Sequence, residues 1–280
     1  MKKTSKKKTI VLITLLSILS VLLLGFMIAG IYGVIPVFSF NTSNLEVSSH
    51  LAYEKVYDQE FQTISVDVSL GDIEVLPSSD DNVHVLIYSE DDLFKLEDTT
   101  STLSVVFREE KGFHFSWSRK KDFVKIFVPQ DSIMSFQFIS DCGDITVDEF
   151  SNASFDVTAN MGDISIDKAT NIDIESDLGD VNIGEVRTLI ATLSLGDLEV
   201  SSISEYLSIE SDLGKISLDK VSLTKDSSIT LSLGDLDINH LSNTYVDAKT
   251  DLGDIDILDN DREAPYTLTI KNDLGDVSIG

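Results

Sequence analysis

Apolar and polar side chains alternate along most of the chain beyond residue 60, and the alternation breaks at regular intervals at a glycine. Ile64, Val66, Val68 and Leu70 share one parity, whereas Ile73 and Val75, just after Gly71, have the other. The same switch recurs from Ile172, Ile174 and Leu178 to Val181 and Ile183 across Gly179. Period-two alternation marks half-buried strands, and a change of parity requires a corner or bulge if all these side chains are to stay on one inner face. On this reading Leu178 points inward with the rest. Glycine reaches positive φ without steric cost, and the next residue, an aspartate, can accept backbone N–H groups to hold the bend.

The corner is a repeat. It appears as SLGDIEV (69–75), DCGDITV (141–147), NMGDISI (160–166), DLGDVNI (177–183), SLGDLEV (194–200), DLGKISL (212–218), SLGDLDI (232–238), DLGDIDI (251–257) and DLGDVSI (273–279). Its glycines are Gly71, Gly143, Gly162, Gly179, Gly196, Gly214, Gly234, Gly253 and Gly275, separated by 17 to 22 residues from Gly143 onward. A step near twenty residues marks stacked units, none of which buries its apolar face alone. The expected fold is all-β: a parallel β-solenoid, β-helix-like, of about eight to nine rungs with glycine-aspartate corners. At about 4.8 Å per rung, the eight units from Gly143 to Gly275 would make a rod of roughly 35 to 40 Å. Strands are also expected at 83–88, 103–107 and 123–128, so that 61–134 forms a β-rich cap and 135–280 the repeats. The chain ends one residue past Ile279, which predicts an open C-terminal rung and end-to-end self-association through its unpaired edge.

The first forty residues suit a different solvent. Segment 10–37 carries no charged side chain over 28 residues, more than the roughly 20 a bilayer needs, and predicts one transmembrane helix. Lys2, Lys3, Lys6, Lys7 and Lys8 precede it in a basic tail, 1–9, which should stay cytoplasmic and place the rest outside the cell membrane. The competing reading, a cleaved signal peptide, fits less well: the run is long and lacks a clear small-x-small site. Segment 38–60 reads as a polar stalk.

Composition narrows the partners. The chain has 21 basic and 48 acidic residues, and the part beyond the N-terminal lysines carries a net charge of −32. That excludes nucleic acid, whose phosphates are bound by clustered lysine and arginine. The single cysteine, Cys142, forbids an intramolecular disulfide and stands where other repeats have Leu or Met, as a small buried apolar group.

Stacked corners would put aspartates into columns. Asp144, Asp163, Asp180, Asp197, Asp235 and Asp254 come directly after the glycine, and Asp141, Asp177 and Asp251 stand two residues before it. At about 5 Å in water each neighbouring pair repels by a little under 1 kcal/mol. Together these nine carboxylates could hold Ca²⁺, which takes six to eight oxygens. Against a calcium ladder, each unit has one glycine corner only, and Lys215 interrupts the column. Corner capping is the preferred role, and no other cofactor is expected.

The one basic outer segment, 107–128, interleaves Arg108, Lys111, Arg119, Lys120 and Lys121 with Phe113, Phe115 and Trp117. It is a candidate contact with a partner or an anionic surface. The preferred reading is a capping hairpin whose alternate aromatics cover the first rung. Catalysis finds little support: acidic residues recur identically in every unit, whereas a catalytic site is a local departure from a repeat.

The series of [VIL]-x-[VIL]-x-x-x-L-G-D-[VIL]-x-[VIL] units, with VKIFVPQD and the leading Ile-x-Val-x-x-x-Leu-Gly-Asp pair, resembles the bacterial "putative adhesin" family, a domain of unknown function built of β repeats. The resemblance spans 61–280. It implies a β-solenoid exposed at the cell envelope, often anchored by one helix and in some Gram-positive members encoded with envelope-stress signalling proteins. It implies no functional residues. The expected function is thus non-enzymatic: a membrane-anchored extracellular β-solenoid, adhesin or envelope-stress accessory protein, that binds a protein or cell-wall component. The alternatives are a carbohydrate-active enzyme on a β-helix scaffold and a calcium-dependent structural surface protein.

Overall fold

The structure is a computed structural model that describes residues 50–89, 94–107, 121–132 and 134–280. The predicted transmembrane segment and basic tail lie outside the described residues. Every regular element among the described residues is a β-strand, and no helix there is long and apolar enough to cross a membrane.

The strands form two columns that share one apolar interior. Column one holds strands that lead into a glycine: Thr63–Val68, Ser135–Ser140, Ser154–Ala159, then the second halves of the long strands Ile164–Leu178, Val181–Leu195 and Leu198–Leu213. Column two holds the strands that leave the corner: Gly71–Pro77, Ile145–Glu149, the first halves of the same long strands, then Ile216–Ser222 and Leu236–Ser242. Neighbours in each column pair in parallel and in register, so that Ile172 faces Leu189 and Val181 faces Leu198. The result is solenoid-like, as the repeat predicts. In-register stacking also puts like side chains over one another, and Phe136 and Phe155 stack with centroids 4.8 Å apart and planes within 6°.

Three features depart from the expectation. First, the rung order is not the sequence order. The C-terminal rung, Tyr266–Leu274 and Val277–Ile279, pairs on one side with Ser227–Leu233 and Leu236–Ser242. On the other side it pairs with Thr244–Leu252 and Ile255–Ile257. The outermost rung is therefore that of Gly253, and the predicted open C-terminal rung lies inside the stack. Packing supplies the reason. Leu268, Ile270, Val277 and Ile279 are fully buried, whereas the Gly253 rung buries Val246 but otherwise offers Thr244, Ala248 and Thr250 to the interior and leaves Ile255 39% exposed. The less apolar rung loses least by covering the end. Asn243, at φ 58°, turns the chain as it enters that outer rung.

Second, Gly71 stacks directly on Gly143, 72 positions later. Thr63–Val68 pairs with Ser135–Ser140, and Ile73 faces Ile145. The intervening chain extends the stack outward through Thr102–Phe107 and Asp122–Val128, then closes it with antiparallel strands Lys95–Asp98, Val83–Tyr88 and Leu51–Tyr57. The first repeat thus belongs to the rod, while most of the cap is an insertion after it and one strand, Leu51–Tyr57, comes before it. Third, Leu51–Tyr57 belongs to that cap and Tyr57 is buried, so the described end of the predicted stalk is part of the fold.

Candidate functional site

The glycine corners form the edge where the two columns meet. Gly143, Gly162, Gly179, Gly196, Gly214, Gly234, Gly275 and Gly253 have φ between 137° and 156°, a region closed to other residues. At Gly179 a Cβ would come within 2.0 Å of the Gly162 carbonyl oxygen. The backbone of each corner lies that close because its N–H donates to the next rung, as from Gly179 to the carbonyl of Leu195 at 3.1 Å.

The aspartate after each glycine clamps the next corner. Asp72 Oδ1 accepts from the Asp144 N–H, Asp144 from Asp163, Asp163 from Asp180, Asp180 from Asp197, and Asp197 from Lys215, all at 2.7 to 3.0 Å. Lys215 breaks the chain of carboxylates. It resumes with Asp235 accepting from Asp276 and Asp276 from Asp254, both at 2.9 Å. Charge-assisted bonds to backbone N–H groups offset the repulsion between stacked carboxylates. Lys121, placed just before the strand that pairs with Gly71–Pro77, closes the ladder at its other end, with Nζ 3.0 Å from Asp72 Oδ1.

The column two residues before glycine is organised differently. Asn160 donates to Asp141 at 3.0 Å, Ser194 to Asp177 at 3.3 Å and Ser232 to Asp212 at 3.3 Å. Neutral donors alternate with carboxylates, so stacked like charges are avoided until Asp273 and Asp251 meet at the outer end.

Between these columns lies a feature that the parity reading misassigned. Leu178 points outward and is 46% exposed; the inward position is filled by Ser176, buried beside the corner. The chain has begun its turn one residue before the glycine, which rotates the last strand side chain off the inner face. The rungs from Gly162 onward repeat this, so Met161, Leu178, Leu195, Leu213, Leu233 and Leu274, ending at Leu252, form a ridge of large exposed apolar side chains along the edge. Leu178 faces Leu195, and Leu195 faces Leu213.

A family model described as Toastrack DUF4097 matches residues 61–280. The chain belongs to the Toastrack DUF4097 family. The solved structures it resembles include a putative adhesin from Bacteroides fragilis, with TM-score 0.50, 16% identity, and coverage of 84% of this chain and 99% of that one. Another is a putative adhesin from Parabacteroides distasonis, with TM-score 0.41, 17% identity, and coverage of 81% and 96%. A third, from the same species, bears the name putative lipid binding protein, with TM-score 0.42, 12% identity, and coverage of 82% and 98%. The likeness to the Bacteroides fragilis structure concerns the fold alone. No curated protein matches the chain significantly.

Within the Toastrack rod, the remaining sequence candidates separate. The nine carboxylates considered for Ca²⁺ do fall into columns, but Asp141, Asp144, Asp163, Asp177, Asp180, Asp197 and Asp235 each give an oxygen to a backbone or neighbouring side-chain donor. Among the described residues, no three His, Cys, Asp or Glu side chains converge as metal ligands. Of the partner-binding candidates, Lys121 is largely covered and paired with Asp72; Arg108, Lys111, Trp117, Arg119 and Lys120 lie outside the described residues. Cys142 occupies the ridge position of its rung and is half-exposed rather than buried, with its thiol pushed up by partial burial. A further pair was not foreseen: His84 Nε2 sits 2.8 Å from Asp80 Oδ1, and this bond holds the Asp80 carboxyl well below the usual range. Only their four-residue spacing within a predicted turn and strand could have suggested it.

A cleft of about 1060 Å³ opens at the turns that lead into column one. Glu60, Asp81 and Asp131 line it together with Phe61, Val83 and Met134, and among the described residues no histidine, cysteine or lysine does.

Proposed function

We propose that the chain is a non-enzymatic, membrane-anchored protein of the cell envelope that holds a β-rod outside the membrane and binds another envelope component through its periodic surface. One observation carries this reading: the exposed side chains along the glycine edge repeat from rung to rung instead of converging on one place. A surface of that kind suits extended contact, and catalysis needs the opposite, a few groups that depart from their neighbours. The names borne by relatives of the same fold, putative adhesins among them, agree with a binding role. The uninterrupted apolar segment 10–37 and the lysines before it support the anchor and its orientation.

Self-association is a second mode of contact, now assigned to the Gly253 rung. Its outer edge carries Asp254, the last carboxylate of the ladder, with no further rung beyond it among the described residues.

Two measurements test the proposal. Protease treatment of intact cells should remove the rod and spare the N-terminal tail; protection of the rod would refute the placement. Crosslinking of the full-length chain in intact cells should capture an envelope component on the glycine edge. Capture only through the cleft, together with hydrolysis of a wall glycan, would instead support an enzyme.

A further inference from the structure

The leucine ridge has two properties that together define an occupant. It is apolar, with its side chains close to half exposed in rung after rung. It is also flanked on both sides by acid: the corner ladder that includes Asp163, Asp180 and Asp197 on one side, and Asp141, Asp177 and Asp212 on the other. A lone exposed leucine is ordinary on a protein surface, whereas a contiguous apolar stripe rimmed by charge marks a contact site.

The charge decides between candidate occupants. A second copy brought edge to edge would set two acidic rims against each other. An anionic lipid surface would be repelled in the same way. A partner whose own apolar stripe is bordered by lysine and arginine meets both rims with the opposite charge. Spacing then decides its conformation. Successive ridge side chains are one strand spacing apart, about 4.8 Å, and one turn of α-helix advances about 5.4 Å. An extended strand presents same-face side chains only every 6.6 Å or so, a poorer match. Seven ridge residues span about 29 Å, the length of a helix of about 20 residues.

We infer that the glycine edge is a docking surface for a basic amphipathic helix, laid along the rod with its apolar stripe on the leucine ridge and its cationic flanks on the two aspartate columns. This rests on the binding role proposed above and gives it a partner chemistry. The helix contributes i, i+3, i+4 and i+7 apolar side chains, and its flanking cations pair with the ladder carboxylates through their second oxygens, since the first already holds the corner.

The test uses the full-length chain in detergent and synthetic 20-residue helical peptides. One carries a leucine stripe with lysine and arginine flanks, one the same stripe with glutamate flanks, and one the basic composition without a stripe. The basic striped peptide should bind at least 10-fold more tightly than either control, with an affinity that falls as salt rises. The triple variant Leu195→Ser, Leu213→Ser, Leu233→Ser should lose that binding at least 10-fold. It should remain folded at the assay temperature by circular dichroism, because each side chain is only about half buried and the core of the rod is untouched. The pair Asp177→Asn, Asp212→Asn should bind several-fold more weakly and with less salt dependence. Equal binding of all three peptides, or undiminished binding by the leucine variant, overturns the inference. So does ridge-dependent binding of phosphatidylglycerol vesicles in preference to the peptide, which would make the edge a lipid contact. Crosslinking in cells separates the two claims: an envelope component captured equally by the leucine variant leaves the binding role standing and removes this site, whereas no capture by either form removes both.

Discussion

Oδ1 of Asp163 accepts the backbone N–H of Asp180 at 2.9 Å, although the two residues are 17 apart in the chain. Their bond ties one corner to the next and repeats along most of the rod. The carboxylate is the acceptor, so its charge is secondary to its oxygen. Asp163→Ala leaves the N–H of Asp180 without that partner and should cost about 1–2 kcal/mol, while Asp163→Asn keeps an acceptor, removes one like charge and should stay within about 0.5 kcal/mol of the parent. Urea denaturation of the three proteins checks both, and equal losses for Ala and Asn would assign the effect to charge.

Gly179 should tolerate no side chain. A Cβ there meets the Gly162 carbonyl oxygen at 2.0 Å and would have to be held at φ 143°. Gly179→Ala is expected to destabilise the rod by at least about 3 kcal/mol, read from the denaturation midpoint at unchanged slope.

The outer face of column one holds an unfavourable pair. Asp173 faces Asp156 across one strand spacing, and burial, together with the charges of Asp156 and Glu175, raises its carboxyl above the ordinary range. A raised acid favours the folded state when protonated, so its penalty is present at neutral pH and disappears as pH falls through the folded value and then the unfolded one. Asp173→Asn should therefore stabilise at pH 7 by about 0.5 kcal/mol, with the gain vanishing below about pH 4. Thermal melts of both proteins from pH 7 to pH 3 give the comparison; a gain that persists at pH 3 would contradict the assignment.

The outermost strand carries its own plug. Asn260 accepts the N–H of Val246 at 2.9 Å and donates to its carbonyl at 3.0 Å, as a neighbouring strand would. Asn260→Ala frees that edge and should lower the concentration at which the chain self-associates, more so in high salt, where the net negative charge is screened. Sedimentation velocity over a concentration series measures this, and an unchanged monomer would show that the edge is protected by other means.

Much of this arrangement was legible from the chain. The glycine step foretold a parallel stack, and the parity switch placed Val181 and Ile183 inside. What escaped was what parity cannot carry. Leu178 shares the parity of Ile174, and only the early onset of the turn expels it from the interior in favour of Ser176. The rung order was hidden for another reason: each repeat is equally able to pair with any other, and the difference between Leu268 and Ile270 inside one rung and Ala248 and Thr250 in another is one of degree. The ladder's direction was likewise hidden, because the sequence shows that an aspartate comes after each glycine but not which rung supplies its donor.

Residues 266–279 come after the Gly253 rung in the chain, yet they lie inward of it in the stack. Until they arrive, Thr244–Leu252 either stacks temporarily against Ser227–Leu233 or waits unpaired, and in the first case it must be displaced for the finished order to form. Assembly of this end of the rod is thus an intercalation, in which a later rung acts as a bolt held between two earlier neighbours.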